Sequence, residues 1–226
     1  MTLRHALLGE CGVDHGFGLR TTPAPDGLVR PRQVHGCRVV AVRACREQPA
    51  PEADGVVSEE PGVPVGIVTA DCLPILLASR SGRAVSAVHA GWRGLAHGIV
   101  AAGVEALRER AGAEELVAVV GPHIGACCYE VDAPVVDALR LRFGRDVECA
   151  LRSARPGHAY LDLGALATRA LERAGLARGR VGIIPDTCTR CDPERFHSYR
   201  RDGERAGRLV HFVAAARDLT AAGVRV

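Results

Sequence analysis

Three soft or borderline metal ligands stand where apolar runs meet turns: His35 in Gln33-Val34-His35-Gly36, Cys72 in Thr69-Ala70-Asp71-Cys72, and His89 in Val88-His89-Ala90-Gly91-Trp92-Arg93-Gly94. A His/Cys/His set offers a divalent cation three protein donors and leaves a fourth position for water or substrate, the pattern of a catalytic zinc. Taken singly, these residues have plainer readings, His89 as a hydrogen-bonded strand-end histidine and Cys72 as a small buried hydrophobe. Cys72 beside a histidine would also suit a thiol hydrolase, because imidazole can hold the thiol as thiolate.

Gly91-Trp92-Arg93-Gly94 leads into a helix, so its free backbone N–H groups and the Arg93 guanidinium form a candidate seat for phosphate or an oxyanion. A second candidate is Ser198-Tyr199-Arg200-Arg201-Asp202, where Arg200 and Arg201 follow an aromatic residue; a solvated turn with a salt bridge to Asp202 explains it equally well. Gly121-Pro122-His123-Ile124-Gly125, followed by Tyr129-Glu130, reads either as a loop held near a ligand or as a tight crossover. Cys188-x-x-Cys191 lacks a second spaced pair, the remaining close pair being the adjacent Cys127 and Cys128. Thiols without metal are therefore expected there.

Other chemistry is excluded. His-Glu-x-x-His, Gly-x-Ser-x-Gly, Gly-x-Gly-x-x-Gly and a deaminase-type His-x-Glu are absent. All 29 basic residues are arginine, which removes a Walker lysine, a Schiff-base lysine and a kinase-type lysine. A net charge of +3 gives no case for non-specific nucleic-acid binding. The apolar stretch from Val63 to Ala78 is broken by Pro64, Gly66, Asp71 and Pro74, too soon for a bilayer span. Without asparagine there is no glycosylation sequon, Met1 to Gly12 lacks the layout of a secretory signal, and 9 irregularly spaced cysteines suit reduced thiols; a cytoplasmic protein is expected.

The elements that must position these residues follow from periodicity. With 226 residues, 47% of them hydrophobic, the chain suits one domain over 1–226 with a single well-filled core. Strands are expected at Arg38 to Ala44, Val65 to Ala70, Leu73 to Ala78, Ala84 to His89, Leu116 to Val120, Val181 to Ile184 and Leu209 to Ala214. Helices are expected at Gly94 to Arg110, at Asp132 to Phe143 with Asp132 as N-cap, and at Asp162 to Ala174, capped by Asp162 and ended by Gly175. Three strands without a helix between Val65 and His89 imply a mixed sheet.

Gln33-x-His35-Gly36, Asp54-Gly55-Val56-Val57, Thr69-Ala70-Asp71-Cys72-Leu73-Pro74, His89-Ala90-Gly91-Trp92-Arg93-Gly94, Gly121-Pro122-x-Ile124-Gly125-x-x-x-Tyr129-Glu130-Val131 and Phe196-x-Ser198-Tyr199-Arg200-Arg201-Asp202 occur in an order that resembles the YfiH-type purine nucleoside phosphorylase family, long labelled laccase-domain or multicopper polyphenol oxidase. The resemblance runs from about Pro31 to Val213. It implies an α/β fold with mixed sheets sandwiched between helix layers in the order α-β-β-α. It also implies zinc, with copper as the alternative, held by the residues matching His35, Cys72 and His89. The implied reaction is phosphorolysis of adenosine, inosine and methylthioadenosine, with adenosine deamination as a further activity. Purine nucleoside and phosphate are the expected partners, with Arg93 and Arg200 as phosphate ligands and a homodimer allowed. Leu19 to Arg32 is shorter than the resemblance implies, so the substrate-facing wall is expected to be reduced. A thiol hydrolase, a copper phenol oxidase and a non-catalytic nucleotide-binding protein are the alternatives. The oxidase is disfavoured because a trinuclear copper centre needs grouped histidines and no His-x-His pair occurs.

Overall fold

The computed structural model describes residues 2–217; residue 1 and residues 218–226 of the expected domain lie outside the described residues. The chain runs through β1 (Thr2–Leu3), α1 (Ala6–Gly9), β2 (Asp14–Gly18), β3 (Val39–Ala41), β4 (Gly55–Ser58), β5 (Pro64–Thr69), β6 (Leu73–Ser79) and β7 (Val85–Ala90). It continues through α2 (Trp92–His97), α3 (Ile99–Ala111), β8 (Leu116–Val120), β9 (Glu130–Asp132), α4 (Ala133–Phe143), β10 (Leu151–Ser153), β11 (His158–Leu161), α5 (Leu163–Arg173), β12 (Val181–Ile183), α6 (Tyr199–Asp202) and β13 (Leu209–Ala214).

A six-stranded sheet has the order β12-β8-β6-β7-β4-β3, a four-stranded sheet the order β1-β2-β13-β5, and a three-stranded sheet the order β10-β11-β9. The large sheet is mixed, as expected: β3/β4 and β8/β12 are parallel and the pairs between them antiparallel. Alternation along β6 and β8 sends side chains to two cores, one on each face of the large sheet, rather than to the single core expected. Leu76, Ala78, Val117 and Val119 meet Val65, Ile67 and Val213 of the four-stranded sheet, while Ile75, Leu77, Ala118 and Val120 meet Leu107, Leu139 and Leu166 of the helices. The result is an α/β sandwich of two facing sheets. Its longer helices are gathered on the outer side of the six-stranded sheet, and α1 and α6 are single turns beside β8 and the pocket.

Several local outcomes differ from the pattern reading: β4 and the small β9–β11 sheet are strands where none was expected. The expected Gly94 to Arg110 helix is broken at Gly98, whose φ of 87° is left-handed, so α2 and α3 are separate. The first expected strand shortens to β3 because Ala44–Arg46 turns into a 3-10 helix. β2, rich in glycine, escapes a propensity argument: a Cβ on Gly18 would lie 2.3 Å from the Val210 carbonyl of β13, so glycine there is a condition of pairing. Asp162 caps α5 by accepting from the Ala165 N–H at 2.9 Å, and Gly175 at φ 94° ends it; Asp132 precedes α4 without such a bond.

Register puts the candidate residues at one end of the six-stranded sheet. Leu73 pairs with Ala90 and Pro74 with His89, so the entry to β6, where Cys72 lies, faces the exit of β7. Gly55 pairs with Val88, which brings Asp54 alongside His89. β8 and β12 end on the same side, as Ile75 pairs with Val120 and Ile183 with Val120. One further segment matters there. Gln33 donates its amide to the Val68 carbonyl and accepts from the Val68 N–H, both at 2.8 Å, while Val29 makes a parallel bridge to Val65, closing the outer edge of β5.

Candidate active site

His35, Cys72 and His89 come together, each offering a donor atom within 4.8 Å of the other two. Cys72 Sγ lies 4.0 Å from His35 Nε2, and the two imidazoles meet edge to face with centroids 4.8 Å apart. Zinc bonds to sulfur and nitrogen set tetrahedrally would place the donors about 3.6 Å apart, so this set fits the ion with small adjustments. Gly91 passes so near that a Cβ on it would lie 3.0 Å from Cys72 Sγ and 3.3 Å from His35 Cδ2.

A fully buried carboxylate organises the group. Asp54 accepts from the N–H groups of Val34, His35 and Gly36 at 3.2, 2.9 and 2.6 Å, and its Oδ1 lies 2.8 Å from His89 Nδ1. That last bond points His89 Nε2 toward Cys72, the orienting role a carboxylate plays behind a metal-ligating histidine. The N–H bonds hold His35 at φ 60°, a left-handed conformation that costs roughly 1–3 kcal/mol in a non-glycine residue and persists where the surroundings impose it. Asp71, next to Cys72, sits at φ 88°, held by the Thr189 hydroxyl at 2.5 Å and the Arg200 N–H at 2.6 Å.

Burial alone would raise the Cys72 thiol, but hydrogen bonds and charge from His35 and His89 outweigh it and bring its pKa down to about 7. Burial likewise opposes a charge on His89, and the bonds to Asp54 and Cys72 overcome it and raise its pKa to about 9. Asp54 is lowered despite its burial, by His89 and then the Gly36 N–H. Without a metal the thiol is thus poised as a thiolate near neutral pH.

The cluster opens into a pocket of about 730 Å³. Its walls carry Trp92, Tyr129 and Tyr199, with Arg30, Arg32, Arg93, Arg200 and Arg208 among them. Arg93 stacks over the Trp92 ring at 4.4 Å, and Arg200 lies 5.1 Å from the Tyr129 centroid while donating to the Glu130 carbonyl at 2.8 Å. Both arginines read as anion partners therefore line it. The paired arginines separate in role: Arg201 is bound to Asp202 at 2.9 Å and to the Thr189 and Phe196 carbonyls, while Arg200 reaches the pocket. The short Leu19 to Arg32 segment still supplies Arg30 and Arg32.

Pattern reading missed two features. Asp54 was legible as part of a motif but not as an organiser, since its partners are mainly backbone; an acidic residue opening an apolar strand was the available signal. The expectation that Cys188 and Cys191 lack a complementary pair is corrected: Cys127 and Cys128 join them, with all four sulfurs within 4.8 Å of one another. The crossover after β8 folds back on the segment after β12, with a bridge between His123 and Cys188, and Cys128 meets Cys191 across a sequence separation of 63.

The profile of the family described as multi-copper polyphenol oxidoreductase laccase matches residues 18–216. A Xylella fastidiosa protein named purine nucleoside phosphorylase is 44% identical over 184 residues, 79% of this chain and 68% of that protein. A protein named adenosine deaminase RL5, from an unknown prokaryotic organism, is 34% identical over 192 residues, 81% of this chain and 73% of that one. The crystal structure of YlmD from Geobacillus stearothermophilus superposes with a TM-score of 0.83 at 25% identity, covering 96% of this chain and 99% of that one. Among the described residues no helix is long and apolar enough to cross a membrane. With the ordered motifs and the fold in agreement, the chain belongs to the YfiH-type purine nucleoside phosphorylase family, which also bears the laccase-domain description.

Proposed function

We propose that the chain is a zinc-dependent purine nucleoside phosphorylase acting on adenosine, inosine and methylthioadenosine, with adenosine deamination as a further activity. The observation that carries this reading is one pocket in which His35, Cys72 and His89 adjoin both aromatic faces and guanidinium groups. A purine needs flat faces, which Trp92, Tyr129 and Tyr199 offer, and orthophosphate needs forked donors, which Arg93 and Arg200 offer.

Phosphorolysis joins a phosphate oxygen to C1′ as the bond from C1′ to the purine nitrogen breaks, and the departing base takes up a proton. The arginines would fix the phosphate beneath the sugar, replacing a chance encounter by a held geometry. Burial, then the Cys72 charge, pushes the Tyr129 phenol well above its ordinary pKa, so it stays a donor to base or ribose. The Asp54 bond to Nδ1 orients the His89 ring so that Nε2 faces the centre. A zinc held by His35, Cys72 and His89 supplies Lewis acidity and a water acidified to near neutrality, which deamination at C6 requires. These mixed donors suit zinc better than a laccase-type copper cluster, which needs more grouped histidines.

Phosphate-dependent release of base from adenosine and inosine, followed by chromatography, tests the activity; elemental analysis of His35→Ala, Cys72→Ala and His89→Ala tests the ligands. Loss of both activity and one metal equivalent in each variant is expected. Metal-loaded protein that releases no base with phosphate present would refute the activity.

One observation favours a second reading. Cys72, His89 and Asp54 also form the thiol, imidazole and carboxylate chain of a cysteine hydrolase. Iodoacetamide decides between them: a metal-bound Cys72 labels slowly until a chelator is added, whereas a free nucleophile labels fast with or without it.

A further inference from the structure

Away from the His35 centre, the turn after β8 and the segment after β12 meet through sulfur. Cys191 Sγ lies 3.6 Å from Cys127 Sγ and 3.3 Å from Cys128 Sγ, and Cys188 completes a set whose members all lie within 4.8 Å. The Cys128 and Tyr129 N–H groups both bond to the Gly125 carbonyl, at 2.9 and 3.0 Å, so this turn is helical. Neighbouring side chains on a helical turn diverge by about 100°. Cys127 and Cys128 therefore approach Cys191 from different sides. The Gly125 N–H donates to Cys188 Sγ at 3.3 Å, a bond that favours a thiolate there.

We propose that Cys127, Cys128, Cys188 and Cys191 bind a structural zinc ion, separate from the His35 centre. Four thiolates around zinc stand about 3.8 Å apart in a closed tetrahedron, close to the spacing observed. The thiol protons pass to solvent as the ion binds. A disulfide would use only two of the sulfurs, whereas Cys191 faces Cys127 and Cys128 almost equally.

The ion would tie together two segments that meet at the pocket. Tyr129 directly follows Cys128 and lines the pocket, and Thr189 directly follows Cys188 and holds the Asp71 carboxylate beside Cys72. Near the cysteines the segments are also joined by the Thr189 N–H bond to the His123 carbonyl and the Gly125 bond to sulfur, and farther along by Arg200 donating to the Glu130 carbonyl.

Protein purified with reductant, stripped by chelator and titrated with zinc alone should bind one equivalent fewer when it carries Cys127→Ser with Cys191→Ser. The difference holds whether or not the His35 centre binds metal, so failure of the two assignments is distinguishable. Should the serine variant fail to fold, the wild-type chain answers through alkylation. Cys37, Cys127, Cys149 and Cys191 are all exposed. In zinc-loaded protein, iodoacetamide should label Cys127 and Cys191 at least ~10-fold more slowly than Cys37 and Cys149, with the gap closing on chelation. Equal labelling in the zinc-loaded protein, an unchanged zinc stoichiometry in the folded serine variant, or a disulfide within the set in zinc-loaded protein overturns the proposal.

Discussion

Asp54 illustrates how one buried carboxylate can serve both backbone and chemistry, because the same two oxygens hold the His35 turn and orient His89. Asp54→Asn keeps the shape but loses the charge and turns one acceptor into a donor. Metal affinity at the His35 centre is expected to fall about 10- to 100-fold, as for other carboxylates behind metal-ligating histidines, measured by zinc competition with a chromogenic chelator. His211 is a different case. It is fully buried, its Nε2 is 2.8 Å from the Thr69 hydroxyl, and its Nδ1 has no partner among the described residues. Burial, then the His89 charge, pushes its pKa down to about 3. Between about 6.5 and that value the unfolded chain binds a proton that the folded chain does not, so stability is complete above 6.5 and is lost as pH falls, by up to about 1.4 kcal/mol per pH unit. Urea titrations at pH 7.5 and 5 should show His211→Gln losing less stability on acidification than the wild type. An equal loss in both would mean that His211 is not the group responsible.

The short helix α2 is flanked by two glycines with different duties. Gly91 has φ −76° and ψ 175°, open to any residue, yet a Cβ there would press on Cys72 and His35. Gly98 has a left-handed φ of 87°. Gly91→Ala should therefore reduce kcat at least ~10-fold through displaced ligands while leaving Tm nearly unchanged. Gly98→Ala should lower stability by roughly 1–2 kcal/mol, with activity per folded molecule affected less. Steady-state kinetics beside thermal melts separates the two. At this scale the sequence was partly legible. β6, β7 and β8 announced themselves because both their faces are buried and apolar, and His35, Cys72 and His89 stood out as ligand types at their ends. The register that joins those ends, and the fold-back that joins Cys128 to Cys191, depend on tertiary pairing that no local window contains. β2 was missed because its two glycines and histidine carry no strand periodicity, and β9, β10 and β11 because runs of three or four residues are too short to display one.

Across the whole molecule, two cores hold one sheet between them and leave its end free for loops, so packing and chemistry are separable. Leu107 is fully buried in the core between helices and sheet and is not among the residues that line the pocket. Leu107→Ala should cost about 2–5 kcal/mol in denaturant unfolding without changing the zinc bound per folded chain. The Gln33 amide bonded to both polar groups of Val68 carries the last consequence. A strand at the end of a sheet invites pairing by a foreign strand, and β5 is such a strand. Gln33 and Val29 occupy the very groups an incoming chain would seek. The stretch that brings Arg30 and Arg32 to the pocket thus also covers the free edge of β5. Gln33→Ala should uncover that edge and raise the concentration-dependent light scattering of the folded protein, so one segment couples the pocket wall to the exposure of a sheet edge.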